Sequence, residues 1–204
     1  MHKRAVLALV AALVGLALVG AALAGPPFRA KPFEFDPDGT GIVDAAWLAH
    51  EGLPDAGNSN HALFLAKDGL TATNASSGAI IQGVAGIMLT ELGFDVRTDG
   101  HCGAGAPRFN VRLASDPPMS PPHFLGCAAG PVSGPPLIDP QGNTWIRKRW
   151  DMLALLALGT IPPGSTVVSI SIVFDEGTDA GPGFTHLDNI DINGVLIGKP
   201  GNAF

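Results

Sequence analysis

Three features of the chain point to an all-β protein, an antiparallel β-sandwich. Apolar and polar residues alternate strictly in several short segments, the pattern of a strand with one buried face. Turn signals such as PDG, KDG, TDG and IPPG stand between those segments, as antiparallel neighbours require. Glycine (27) and proline (18) are abundant among the 204 residues and follow no period, which suits many turns; the regular alternation argues against disorder.

In chain order, the first element is not part of the fold. Residues 1–4 are short and basic, and the run AVLALVAALVGLALVGAALA follows, closing on Ala22-Leu23-Ala24. A charged start, an apolar middle and an Ala-x-Ala close predict a signal peptide over residues 1–24 that is cleaved. The other reading of the run is a membrane anchor, since it is nearly long enough to span. Cleavage places residues 25–204 outside the cytoplasm as one soluble sandwich domain, secreted, periplasmic or at the cell surface.

Within that domain, HALFLAK (61–67) and GAIIQGVA (78–85) read as strands. In ELGFDVRT, Leu92, Phe94 and Val96 oppose Glu91, Asp95 and Arg97; in RFNVRL, Phe109, Val111 and Leu113 oppose Arg108, Asn110 and Arg112. Further strands are expected at 123–127, 144–150, 168–174 and 187–193, while DMLALLALG (151–159) fits a short helix or a buried strand equally. Proline pairs at 117–118, 121–122 and 135–136 predict a long loop over 115–144, crossed by one strand. Cys102 and Cys127 are the two cysteines, and in an exported chain they predict a disulfide. Closing that loop is worth roughly 3 kcal/mol through the unfolded state. The alternative, a catalytic thiol beside His101, rests on sequence adjacency alone.

The formal net charge is −6, and the leader holds Lys3 and Arg4, so the remaining chain is more acidic still. Such a surface repels nucleic acid and anionic lipid; no nucleic-acid partner, and no membrane partner after cleavage, is expected. Catalysis has little support. No nucleophile elbow and no His-x-x-x-His spacing occurs, and the adjacent Asp175 and Glu176 would diverge on a strand.

The densest chemistry is FDEGTDAGPGFTHLDNIDING (174–194). Asp175, Glu176 and Asp179 stand in a loop ahead of the final strand, where Asp188 has the parity of Ile190 and Ile192 and is therefore expected to face inward. An inward carboxylate needs a partner: an arginine such as Arg108, backbone N–H groups, or a hard cation. Asp and Gly are ordinary turn residues, so a turn with local hydrogen bonds is the first reading. A structural calcium ion held by Asp175, Glu176, Asp179 and Asp188 is the second. The spacing is not that of an EF-hand loop.

The late strand with FDEGTD and LDNIDING resembles bacterial secreted proteins built on a jelly-roll sandwich, the galactose-binding-like group that includes many carbohydrate-binding modules. CGAGAPRFNV (102–111) is similar to a motif recurring in exported proteins. The resemblance implies jelly-roll topology and a calcium ion between an early acidic strand, with Glu34 and Asp36 of FEFDPDG, and the late Asp188. It implies a non-catalytic domain binding a glycan or other extracellular polysaccharide. A structural or adhesive domain binding an extracellular protein, or a small polysaccharide hydrolase or lyase, are the alternatives. Sugar-binding faces stack rings on Trp or Tyr; this chain has no Tyr and three Trp. The expected ligand-binding residues are Trp47, Trp145 and the basic Arg147 and Arg149, with Trp145 and Trp150 on opposite faces of their strand.

Overall fold

Alternating side chains demand two covered faces, and the chain answers with two antiparallel sheets around a common core. The computed structural model describes residues 28–55, 60–162, 164–175, 183–199 and 202–203; the signal-peptide reading of residues 1–24 lies outside them. One sheet has the order β1-β4-β10-β6-β7, formed by β1 (Arg29–Phe35), β4 (Ser76–Gln82), β10 (Val167–Phe174), β6 (Arg108–Leu113) and β7 (His123–Gly126). The other has the order β13-β12-β11-β5-β9-β8: β13 (Asn202–Ala203), β12 (Val195–Lys199), β11 (Phe184–Ile192), β5 (Leu92–Arg97), β9 (Thr144–Trp150) and β8 (Leu137–Ile138). Here β3 (His61–Lys67) also pairs with the first half of β11, and β2 (Val43–Ala49) pairs with β3. Long β11 thus shares one edge between β3 and β12 and gives the other to β5. Strands β1 and β2 lie in stretches where alternation alone does not announce a strand.

The core contains the residues that alternation assigns to it, except Val168. Alternation in 168–174 sets it inward with Ile170, yet it is 51% exposed and Val167 is buried instead, because the β10 register shifts between Val167 and Ser169. Leu92, Phe94 and Val96 of β5, Phe109, Val111 and Leu113 of β6, and Ile170, Ile172 and Phe174 of β10 join one buried cluster. Phe94, Phe109 and Trp150 pack ring against ring, with centroids 5.3 to 5.8 Å apart, in the tilted and edge-on geometries that aromatic quadrupoles favour.

The ambiguous DMLALLALG is a helix, α1 (Met152–Leu158). Capping decides it. The Asp151 carboxylate accepts the Ala154 N–H at 2.9 Å, and Gly159 ends the helix at φ 65°, a left-handed position that glycine takes without strain. Only Leu155 of α1 is buried.

Cys102 and Cys127 form the expected disulfide, with Cα atoms 5.2 Å apart. It ties the β5–β6 connection to the end of β7. Gly126 lies so close to the Ala104 carbonyl that a Cβ there would overlap it. Among the described residues no helix is long and apolar enough to cross a membrane.

One expectation fails in an informative way. Asp188 does not face the core. Leu187 pairs with Val96 and Asp188 with Asp95, so unbroken pairing would set Ile190 opposite Gly93; the residue found there is Asp191. The extra residue is a β-bulge at Asn189, whose φ is 44°, and a bulge reverses parity beyond it. Leu187, Ile190 and Ile192 therefore all reach the core, while Asp188 and Asp191 both stand on the opposite face.

Candidate functional site

Register places the polar residues of three central strands on the outer face of the larger sheet. Asp95 on β5 lies opposite Arg147 on β9 and opposite Asp188 on β11. Arg97 lies opposite Trp145, and Gly93 opposite both Arg149 and Asp191. A solvated face is the ordinary outcome of alternation. Here the face is covered: every residue of β5 is buried. The segment from Glu51 to Asp55 folds over it, and Leu53 packs with Ala62 and Trp145 in a small second apolar cluster.

The buried charges form a chain of contacts. The Leu53 N–H donates to Asp188 Oδ2 at 2.7 Å and the Asn189 N–H to Asp188 Oδ1 at 2.6 Å. Asn189 donates from Nδ2 to Asp95 Oδ2 at 2.8 Å. Arg147 donates to the Asn189 carbonyl at 2.7 Å and to Asp191 Oδ2 at 2.6 Å. Arg149 pairs with Glu91 through two bonds. Gly93 allows β9 its close approach, since a Cβ there would stand 2.8 Å from the Lys148 carbonyl.

Burial sets the protonation. It pushes the Asp188 carboxyl up to about 8, with the Asp55 and Asp95 charges adding to it and the two backbone bonds opposing. Burial also raises Asp95, against Arg147 and Asn189. Asp191 is pushed up to about 6, again by burial first, while the bond from Arg149 lowers Glu91. A desolvated carboxyl without its own cation takes the neutral form.

The residues expected to hold a ligand or metal do not meet. Trp145 is fully buried and donates its indole N–H to Asp139 at 2.9 Å, so it offers no face to a sugar. Trp47 is half-buried against the core, its indole N–H on the Ala30 carbonyl at 3.0 Å. Arg147 and Arg149 are not an open basic patch but are held in the ion pairs above. The Glu34 carboxylate accepts the Ala45 N–H, and Asp36 caps the turn that follows through Thr40 and Gly41. Arg108 takes Asp175 rather than Asp188, in a bidentate pair at 2.6 and 2.7 Å. Glu176 and Asp179 lie outside the described residues. Among the described residues no three His, Cys, Asp or Glu side chains converge as a metal site.

At one border of the polar layer the face turns aromatic. His186 on β11 lies opposite Phe64 on β3, close enough to Arg97 to feel its charge. The His186 ring is 5.0 Å from that of Phe64 and 5.8 Å from that of Phe184. Phe64 and Phe184 are half-exposed and His186 is buried. Burial, reinforced by the Arg97 charge, lowers His186 to about 4, so the ring is neutral. Arg97 ties Glu51 and Asp99 to this border at 2.7 and 2.8 Å, and both carboxylates remain partly open to water. The sequence signal for this group exists: Phe64, Phe184 and His186 are aromatic residues at outward parity.

No protein-family model, no curated protein and no solved structure matches the chain.

Proposed function

We propose that this protein is an extracytoplasmic, non-catalytic binding domain for a glycan, and that the ligand seats on Phe64 and Phe184 around His186. The observation that carries the reading is the pair of half-exposed phenyl rings flanking a neutral imidazole, with two partly open carboxylates at the same border. Apolar C–H faces of a pyranose pack on such rings, and its hydroxyls donate to Glu51 and Asp99. The disulfide is compatible with export, and the resemblance of FDEGTD and LDNIDING to jelly-roll carbohydrate-binding modules supports the same class. A structural calcium ion remains part of the proposal only at Asp175 and its loop neighbours, where it would displace Arg108 from the carboxylate. Thermal unfolding with calcium against a chelator tests it, and an unchanged midpoint would remove the ion.

The test of the glycan reading is a polysaccharide panel read by pull-down and calorimetry. Phe64→Ala and Phe184→Ala should each weaken binding by about tenfold or more, as loss of an aromatic anchor does, with the fold retained. Absence of binding to any sugar, or binding indifferent to both substitutions, sinks it.

A second reading, adhesion to an extracellular protein, is favoured by one observation. Leu137 and Ile138 of edge strand β8 are exposed, as is Val132, and an apolar edge strand is a template for strand addition.

A further inference from the structure

We propose that one end of the sandwich is a lipid-facing surface that rests on a neutral, zwitterionic bilayer. Three segments build this end beside the Asn193–Gly194 turn, which bonds Thr90 and Met88: 83–90, which leaves β4; 114–122, which leaves β6; and 152–162 with 164–166, which contains α1 and leads into β10. Backbone bonds join them: Gly86 N–H to the Val167 carbonyl, Leu89 N–H to that of Ser165, and Ala114 N–H to that of Thr166. Thr160 shares an open groove of about 460 Å³ with Asp116 and Phe124.

Composition sets this end apart. The three segments read GVAGIMLT, ASDPPMSPP and MLALLALGTIPPGST, with Asp116 as their only charged residue. That carboxylate is not offered to solvent alone, because it accepts the Leu113 N–H and bonds His123. Met88, Met119, Met152, Leu153, Leu156 and Leu158 are all exposed here, Met119 at 97% and Leu153 at 74%. A helix showing three leucines to water lacks the partner its sequence was built for.

The occupant is indicated by the chain that enters at this end. Arg29 pairs with Gln82, so Phe28 sits beside the 83–90 segment. Only Gly25, Pro26 and Pro27 separate Phe28 from the twenty-residue run AVLALVAALVGLALVGAALA. Three residues span at most roughly 10 Å. Whenever that run lies in a bilayer, the Leu- and Met-rich end is held within that distance of lipid. Apolar side chains on segments that carry one charged residue then enter the boundary between headgroups and acyl chains, with Arg29 and the Glu91–Arg149 pair at their flanks. The net charge of −6 favours zwitterionic over anionic lipid.

The methionines supply the probe. The chain has four, and the three beyond Met1 are all exposed at this end. The full chain is treated with hydrogen peroxide, with and without phosphatidylcholine vesicles, and sulfoxide formation is followed by mass spectrometry. Vesicles should slow oxidation of Met88, Met119 and Met152 several-fold, and should leave a methionine placed at the opposite end by Leu70→Met unaffected. The variant Leu153→Glu with Leu156→Glu, both exposed and so compatible with folding, should lose that protection. The proposal is overturned if the chain fails to float with vesicles, or if it floats while the three methionines oxidise at the free rate. Protection of the Leu70→Met site equal to theirs overturns it too, as does protection that grows with protein concentration in the absence of lipid, which identifies a second copy as the occupant.

Discussion

Asp188 and Asp95 face each other directly across β11 and β5, on a buried sheet face, with Arg147 reaching the second but not the first. Like charges directly opposite on antiparallel strands repel. The pair persists because Asp188 is neutral, its carboxyl raised to about 8 chiefly by burial. The native state thus keeps a proton that the unfolded chain, with an ordinary aspartate, releases near about pH 4.

Stability should therefore fall as pH rises, because the native state binds more protons than the unfolded state between about pH 4 and pH 8. His186 acts in the other sense: its folded value near 4 lies below the ordinary 6.5, so its contribution is lost as pH falls through that window. Above about pH 6.5 the Asp188 slope stands clear of His186. Urea unfolding should show lower stability at about pH 8 than at about pH 6.5, and Asp188→Asn should flatten that difference. Equal stability at both values in the parent protein removes the neutral Asp188.

Arg147→Met should cost about 3–5 kcal/mol, because it strands the buried Asp191 and Asp95 without their cation. Arg149→Met, at a side chain 42% exposed, should cost no more than about 1 kcal/mol. Comparable losses in the two variants would mean that the Arg147 pairs are not the buried ones.

Gly93→Ala probes the same arrangement from the backbone. Its Cβ would meet the Lys148 carbonyl at 2.8 Å. A loss of about 1–3 kcal/mol is expected from such overpacking, and a neutral result would show that β5 and β9 shift freely.

Replacing both Cys102 and Cys127 with alanine should lower stability by roughly 3 kcal/mol in the parent's denaturation assay, on the loop-closure argument for a separation of 25 residues. Insensitivity of the parent to reductant would show that the bridge adds nothing.

Much of the architecture was legible along the chain. Strands at 61–67, 108–113 and 144–150 have the expected bounds, and in RFNVRL the period of two marks them, because that period is a local property. Strands β1 and β2 were not, since VDAAWLA and RAKPFEF mix small, polar and apolar residues on both parities. The candidate site was read less well. Trp145 reads as available because it and Trp150 lie on opposite parities and one of them can face out, yet the outer face is covered; Phe64, outward on β3, carries no such signal in a run that is apolar on both parities.

Local pattern and composition were enough for the two-sheet sandwich, the inward residues of β5 and β6 and the cysteine pair, because each follows from neighbours two positions apart or from residue content. The side on which Asp188 falls was settled by strand pairing, since the bulge at Asn189 exists in the pairing of β11 with β5. Tertiary structure alone decided, too, that Glu51–Asp55 would close over a charged face. Burial there comes from chain far away in sequence, and burial is what turns an aspartate into a neutral acid.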